Sequence, residues 1–138
     1  MAKIFVDTGP LYSINNPNDQ RFKETWELFK AFQGKRNILF TTDYIVDEAA
    51  TTLLTRQKGG YPFAVNFLDW IFKTDSRIQI EWIGKGYFYK AKDIFKKFNK
   101  DKTWSFTDCA SYVVMKELKI KNVFTFDDHF KQMGFEVL

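Results

Sequence analysis

The sequence predicts an α/β fold around a central, mostly parallel sheet of about five strands, and three observations carry that reading. Short apolar runs recur along the 138 residues, at Lys3–Val6, Asn37–Thr41, Ile78–Ile83, Asn122–Phe126 and Phe135–Leu138. Longer segments with helical spacing of their apolar residues lie among them, at Phe22–Phe32, Tyr44–Leu54, Pro62–Phe72, Tyr87–Phe98 and Phe106–Leu118. Strands that alternate with helices of this length indicate crossover units and parallel pairing. No repeat, low-complexity tract or Pro/Ser-rich linker divides the chain, so residues 1–138 read as one domain.

Each element has its own signal. The first run, KIFV, passes into Asp7-Thr8-Gly9-Pro10, which reads as a strand closed by a Gly-Pro turn. Phe22, Trp26, Phe29 and Phe32 recur at three- and four-residue steps, the stripe of an amphipathic helix. After NILFT, Thr42 stands in N-cap position for a helix whose stripe is Ile45, Val46, Ala49, Ala50 and Leu53. The next segment with helical spacing, Pro62–Phe72, carries Phe63, Phe67, Trp70 and Phe72. IQIEWI supplies the third strand, and a Lys/aromatic helix follows it. Ser105 then stands three residues before Asp108, the capping-box spacing, at the start of the last long helix. NVFTF and FEVL complete the strands.

Composition narrows the chemistry. The net charge of +4 is a mild bias towards anionic partners. No apolar window is long enough to cross a bilayer, and no signal peptide is visible. One cysteine, Cys109, excludes an internal disulfide, and together these features point to a reducing, cytoplasmic setting. Cys109 itself reads as a small buried apolar side chain. With one Cys and one His, the chain lacks the residues for a Cys/His zinc site or a two-histidine nuclease. His129 reads as a solvated loop residue, leaving carboxylates as the supply for hydrolytic chemistry.

In open α/β sheets the ligand crevice lies outside the carboxyl ends of the strands. Asp7 follows the first strand, and Asp127, with Asp128 beside it, follows the fourth. Asp108 opens one helix, and Asp43, Asp47 and Glu48 open another. Singly, each acid has an ordinary structural reading: Asp7 in a turn, Asp108 in a capping box favoured by the helix dipole. Jointly, four acidic clusters from four stretches converge on one sheet edge. Gathered carboxylates repel unless a divalent cation lies among them, and oxygen donors suit Mg²⁺ or Mn²⁺. Such an ion polarises phosphoryl oxygens and activates water, the hydrolytic mechanism this inventory supports. Asp47 and Glu48 flank their helix's apolar stripe almost symmetrically, so periodicity leaves open which of them faces the site.

The ordered set VDTGPLY, VDEAATTLL, SFTDCAS and TFDDHF resembles the PIN domain, most closely the VapC-type toxins of toxin–antitoxin pairs, over essentially the whole chain. The resemblance implies a three-layer α/β sandwich and a Mg²⁺- or Mn²⁺-dependent endoribonuclease. Position by position, it implies Asp7, Glu48, Asp108 and Asp127 as the catalytic, metal-holding acids. It implies Thr8, Ser105 and Thr107 as supporting hydroxyls. It further implies an RNA substrate, a homodimer, and an antitoxin protein that covers the acidic pocket. The aromatic helices around Phe22–Phe32 and Phe63–Phe72 could supply a partner groove, although ordinary core is their simpler reading.

The stretch from Lys85 to Trp104 interleaves lysines with aromatic rings, as single-stranded RNA binding requires. An amphipathic helix with a solvated basic face would read the same way. In a nuclease, Lys96, Lys97, Lys100 and Lys102 become candidate phosphate contacts. Two alternatives to a toxin stand beside it, a housekeeping RNA-processing PIN nuclease and a catalytically silent RNA- or protein-binding module. A receiver-like signalling domain would need an Asp after the third strand, where Gly84 and Lys85 stand instead.

Overall fold

The structure, a computed structural model, describes residues 2–138. Five strands form one sheet: β1 (Lys3–Val6), β2 (Ile38–Thr42), β3 (Ile78–Glu81), β4 (Asn122–Phe124) and β5 (Glu136–Val137). Their order is β3-β2-β1-β4-β5, and every pair is parallel. Seven α-helices accompany them: α1 (Thr8–Ile14), α2 (Phe22–Gly34), α3 (Asp43–Thr55), α4 (Tyr61–Ile71), α5 (Lys85–Phe98), α6 (Phe106–Glu117) and α7 (His129–Gln132). Among the helices, α1 packs on α2 and α3, and α3 on α4; α5 packs on α6, and α6 on α7. The chain first walks outward from β1 to β2 and β3, then returns past β1 to β4. Right-handed crossovers in opposite directions place the two helix groups on opposite faces of the sheet.

That reversal matters for the site. From neighbouring carboxyl ends the chain leaves in opposite directions, from β1 towards β2 and from β4 towards β5. A crevice opens at such a switch point. Asp7 is the first residue after β1, and Thr125 to His129 follow directly on β4.

The five strands and five long helices read from the sequence are all present, with ends shifted by a residue or two. Two helices were not expected. The Gly-Pro pair after β1 forms no turn; Thr8, Gly9 and Pro10 are the first three residues of α1. Proline is tolerated there because the first amides of a helix have no partner within it. The other is α7, a single turn with no periodicity to announce it.

The core is continuous. Phe5, Phe29, Phe67, Phe124 and Phe130 are its largest fully buried side chains. Trp26, Phe29 and Trp70 form a mutual cluster with ring centroids 5.6 to 6.5 Å apart, so α2 and α4 spend most of their rings on the interior. Phe72, at the end of α4, remains exposed. Cys109 is buried as expected, and burial pushes its thiol up to about 11, which keeps it protonated and inert. The tightest backbone approach lies between α3 and α4. A Cβ on Gly60 would stand 2.0 Å from the Leu53 carbonyl oxygen and 2.8 Å from that of Leu54. Gly60→Ala is therefore expected to destabilise the protein by roughly 3 kcal/mol, seen as a lower urea midpoint, while Gly34→Ala, with open space, is neutral or better.

Candidate active site

A cleft of about 790 Å³ opens at the switch point. Asp7, Glu48, Asp127 and Asp128 line it, with Thr8, Gly9, Tyr12, Arg21, Arg56, Phe126 and His129. Asp7 occupies the N-cap position of α1 in extended backbone conformation, yet its side chain makes no capping hydrogen bond. The carboxylate instead accepts a 2.6 Å hydrogen bond from the Thr125 hydroxyl on the neighbouring strand's exit. Burial pushes its pKa up from 3.8 to about 7, partly offset by the bonds from Thr125 and the Thr8 amide, while the charges of Asp108 and Glu48 raise it further. A turn aspartate facing water would show none of this.

Asp108 completes the capping box that its spacing predicts: its amide donates to the Ser105 hydroxyl at 3.0 Å, and its Oδ2 accepts from the Ser105 amide at 3.2 Å. The structural and functional readings of this residue turn out to be compatible. The same Oδ2 lies 2.9 Å from Nδ1 of His129, and among the described residues Oδ1 has no hydrogen-bond partner. Asp108 is 8% exposed, held against the core by the helix it starts.

His129 is where the sequence reading fails. It is no solvated loop residue, and the site does contain a histidine. It opens α7, and its Nδ1 lies 2.9 Å from Asp108 and 3.4 Å from Asp127 Oδ1. The hydrogen bond to Asp108 is the main reason its pKa rises above 6.5, helped by the charges of Asp127, Asp108 and Asp128 and opposed by burial. The local cause is the tight turn after β4. The Asp127 amide donates to Thr125 Oγ1 at 3.0 Å, and the His129 amide donates to Asp127 Oδ1 at 2.9 Å. These two bonds fold the chain back so that the imidazole reaches the start of α6.

Thr125 was also missed. Its hydroxyl joins Asp7 to the Asp127 backbone, binding the exits of β1 and β4 together. The available signal was its position, a hydroxyl residue directly after an apolar run that ends at the acidic edge.

The remaining expectations divide. Glu48 lines the acidic cleft; Asp47 lines only an adjoining hollow with Tyr44, Thr51 and Phe106. Thr8 lines the cleft with a buried hydroxyl oxygen that has no hydrogen-bond partner. Ser105 serves as the cap of α6, and Thr107 lines the adjoining hollow. Lys96 and Lys97 sit in the last turn of α5, where they complement the helix dipole, and Lys100 and Lys102 follow it. None of the four lines the cleft; its basic side chains are Arg21, Arg56 and His129.

The donor set fits a divalent cation. Ligand atoms of Asp108, Asp127 and His129 lie within 4.8 Å of one another. The buried Asp7 carboxylate and the unpartnered Thr8 hydroxyl are further donors on the same cleft. One imidazole, that of His129, stands among these carboxylates, bonded to Asp108 Oδ2. No helix of the described residues is long and apolar enough to cross a membrane.

Known proteins resemble this chain in sequence and in fold. The chain is 28% identical over 130 residues to the VapC ribonuclease of Archaeoglobus fulgidus, an alignment spanning 91% of this chain and 77% of that protein. It is 24% identical over 132 residues to the 23S rRNA-specific endonuclease VapC20 of Mycobacterium tuberculosis, spanning 96% and 95%. The crystal structure of VapC20, a sarcin-ricin loop cleaving toxin, superposes with a TM-score of 0.79 at 25% identity, over 96% of this chain and 95% of that one. VapBC2 from Rickettsia felis, bound to a promoter DNA fragment, shares the fold with a TM-score of 0.69 at 13% identity, over 99% and 97%. The PIN domain itself matches residues 4–136, nearly the whole chain, which therefore belongs to the PIN domain family.

Proposed function

We propose that this protein is a divalent-metal-dependent endoribonuclease that hydrolyses RNA phosphodiester bonds, and that it is the toxin of a toxin–antitoxin pair. One observation carries the nuclease reading: Asp7, Glu48 and Asp127, from three segments, line one cleft at the switch point, and Asp108, from a fourth, is tied to it through His129. A cation site is the arrangement that makes such a cluster tolerable. The ribonuclease and endonuclease relatives support the substrate class.

Asp7 and Asp108 would hold the cation, Mg²⁺ or Mn²⁺, with Glu48 and Asp127 completing the site. When bound, the ion supplies Lewis-acid polarisation of a phosphoryl oxygen and acidifies water. The chain's own residues set the rest. Thr125 fixes the Asp7 carboxylate, and the Ser105 amide and His129 fix Oδ2 of Asp108 with its other oxygen turned free. Glu48 is exposed and in no ion pair among the described residues, so its carboxylate is available to orient water and take a proton. An antitoxin partner that covers the cleft follows from the toxin reading.

Cleavage of structured RNA should require Mn²⁺ or Mg²⁺ and stop with EDTA. Glu48→Gln should lower kcat at least tenfold, whereas Asp47→Asn should stay within about twofold. Equal losses in both variants would remove the assignment of Glu48. Growth arrest on expression, relieved by a neighbouring small gene, tests the toxin reading; arrest without relief, or none, counts against it.

A further inference from the structure

Two arginines stand in an acidic cleft and pair with none of its acids. Arg21 and Arg56 line the same cavity as Asp7, Glu48, Asp127 and Asp128. Arginine beside carboxylates normally forms forked, charge-assisted pairs. Among the described residues neither guanidinium is in an ion pair. Each lies over an aromatic ring instead: Arg21 4.3 Å from the centre of Phe126, and Arg56 5.3 Å from the centre of Tyr12.

Both rings are braced. Gly9 lets Phe126 lie against α1, because a Cβ at that position would stand 2.9 Å from Phe126 Cδ2. The Tyr12 hydroxyl accepts a 2.9 Å hydrogen bond from the Asn16 side chain, which is itself buried. A guanidinium lying over a ring keeps its N–H edge for another acceptor. The platforms thus hold two cations off the carboxylates with their donors unspent. A phosphodiester, tetrahedral at phosphorus, presents two non-bridging oxygens that the N–H edge of an arginine can bind together.

We infer that Arg21 on Phe126 and Arg56 on Tyr12 are two phosphate-holding positions for single-stranded RNA, which seat its backbone in the cleft that the acids line. They are positioning residues, and the inference rests on the nuclease reading for the identity of the strand. They also replace the α5 lysines as the cations that touch substrate at the cleft.

The test measures binding and cleavage separately. Binding of a short fluorescein-labelled single-stranded RNA is followed by anisotropy over a range of KCl, with Ca²⁺ in place of Mn²⁺ to hold the probe intact. Arg21→Gln and Arg56→Gln should each weaken binding about tenfold. Each should also flatten the dependence of log K on log salt by about 0.7, one phosphate contact apiece on a single strand. Arg21→Lys should restore the salt slope, which follows charge, but only part of the affinity, which also follows the stacked fork. Lys119→Gln, an exposed cation outside the cleft, should change neither. In cleavage assays the arginine variants should raise KM more than they lower kcat. Wild-type slope and affinity in both Gln variants, or an equal loss in Lys119→Gln, would overturn the inference. If wild type fails to cleave while the arginine dependence of binding holds, the nuclease reading falls and the phosphate positions stand. If cleavage is robust and the arginines are indifferent, only this inference falls.

Discussion

Asp7→Asn is expected to abolish metal-dependent RNA cleavage and, in metal-free protein, to raise the melting temperature. The first effect is a loss of at least about a hundredfold, since charge stabilisation at a phosphoryl centre is worth several kcal/mol. The second follows from the same burial. The folded state holds the Asp7 proton with a pKa of about 7, against 3.8 for the free group. An acid raised on folding contributes stability that is intact below pH 3.8 and is lost as pH climbs towards 7. At pH 8 the wild type carries a buried, ionised carboxylate, a cost on the order of 2–4 kcal/mol by that linkage. Asparagine is neutral and can still accept from Thr125. The Asn variant should therefore melt several degrees above wild type at pH 8, with little difference near pH 4. Added Mn²⁺ should close the gap by stabilising wild type selectively. Scanning calorimetry at the two pH values, with and without Mn²⁺, checks all of this. A variant less stable than wild type at pH 8 would mean that the carboxylate is not paying a desolvation cost.

The second large effect is expected at a residue that touches no metal. Thr125→Val keeps the shape of the side chain and removes the hydroxyl that serves Asp7 and the Asp127 amide. Mn²⁺ affinity measured by calorimetric titration should fall 10- to 100-fold, roughly the effect of losing an outer-shell partner of a metal ligand. Urea unfolding should show a loss of about 1–3 kcal/mol from two buried groups left unpaired. Thr125→Ser should recover most of both. Unchanged Mn²⁺ affinity in the Val variant would reduce Thr125 to a purely structural tie.

Residues whose role depends on their own local pattern were legible in the sequence. Ser105 and Asp108 announced a capping box by spacing, and the box is there. The five apolar runs became five parallel strands because buried strands read as unbroken apolar segments. Asp7, Asp108 and Asp127 were singled out because such sheets open their crevices at strand exits and first helical turns, and the structure brings these acids to one edge of the sheet. The choice of Glu48 over Asp47 needed the family resemblance. Periodicity had nothing to separate two residues 100° apart, and only the depth of the cleft distinguishes them.

What was illegible depends on partners remote in sequence. His129 looked solvated because TFDDHF has no helical or strand period; its partner, Asp108, is 21 residues away. Thr125 pairs with a residue 118 positions earlier. Arg21 and Arg56 sit in stretches without a basic pattern, and their meaning lies in the rings beneath them. The basic run on α5 drew notice by composition, yet charge density along a helix does not say where the helix faces. The Gly-Pro pair after β1 misled for a simpler reason: the same dipeptide serves a turn or the first turn of a helix.

The hydrogen bond between Thr125 and Asp7 has a consequence in time as well as in space. β1 is synthesised before its neighbour β4, which is 118 residues behind it along the chain. Until that strand has been synthesised and docked, Asp7 lacks its hydroxyl partner, and Asp108 lacks His129. A polypeptide that ends between the two strands lacks Asp127 and His129 outright, and its Asp7 has no hydroxyl partner. The acidic centre is in this way completed only when the last quarter of the chain has folded onto the first strand.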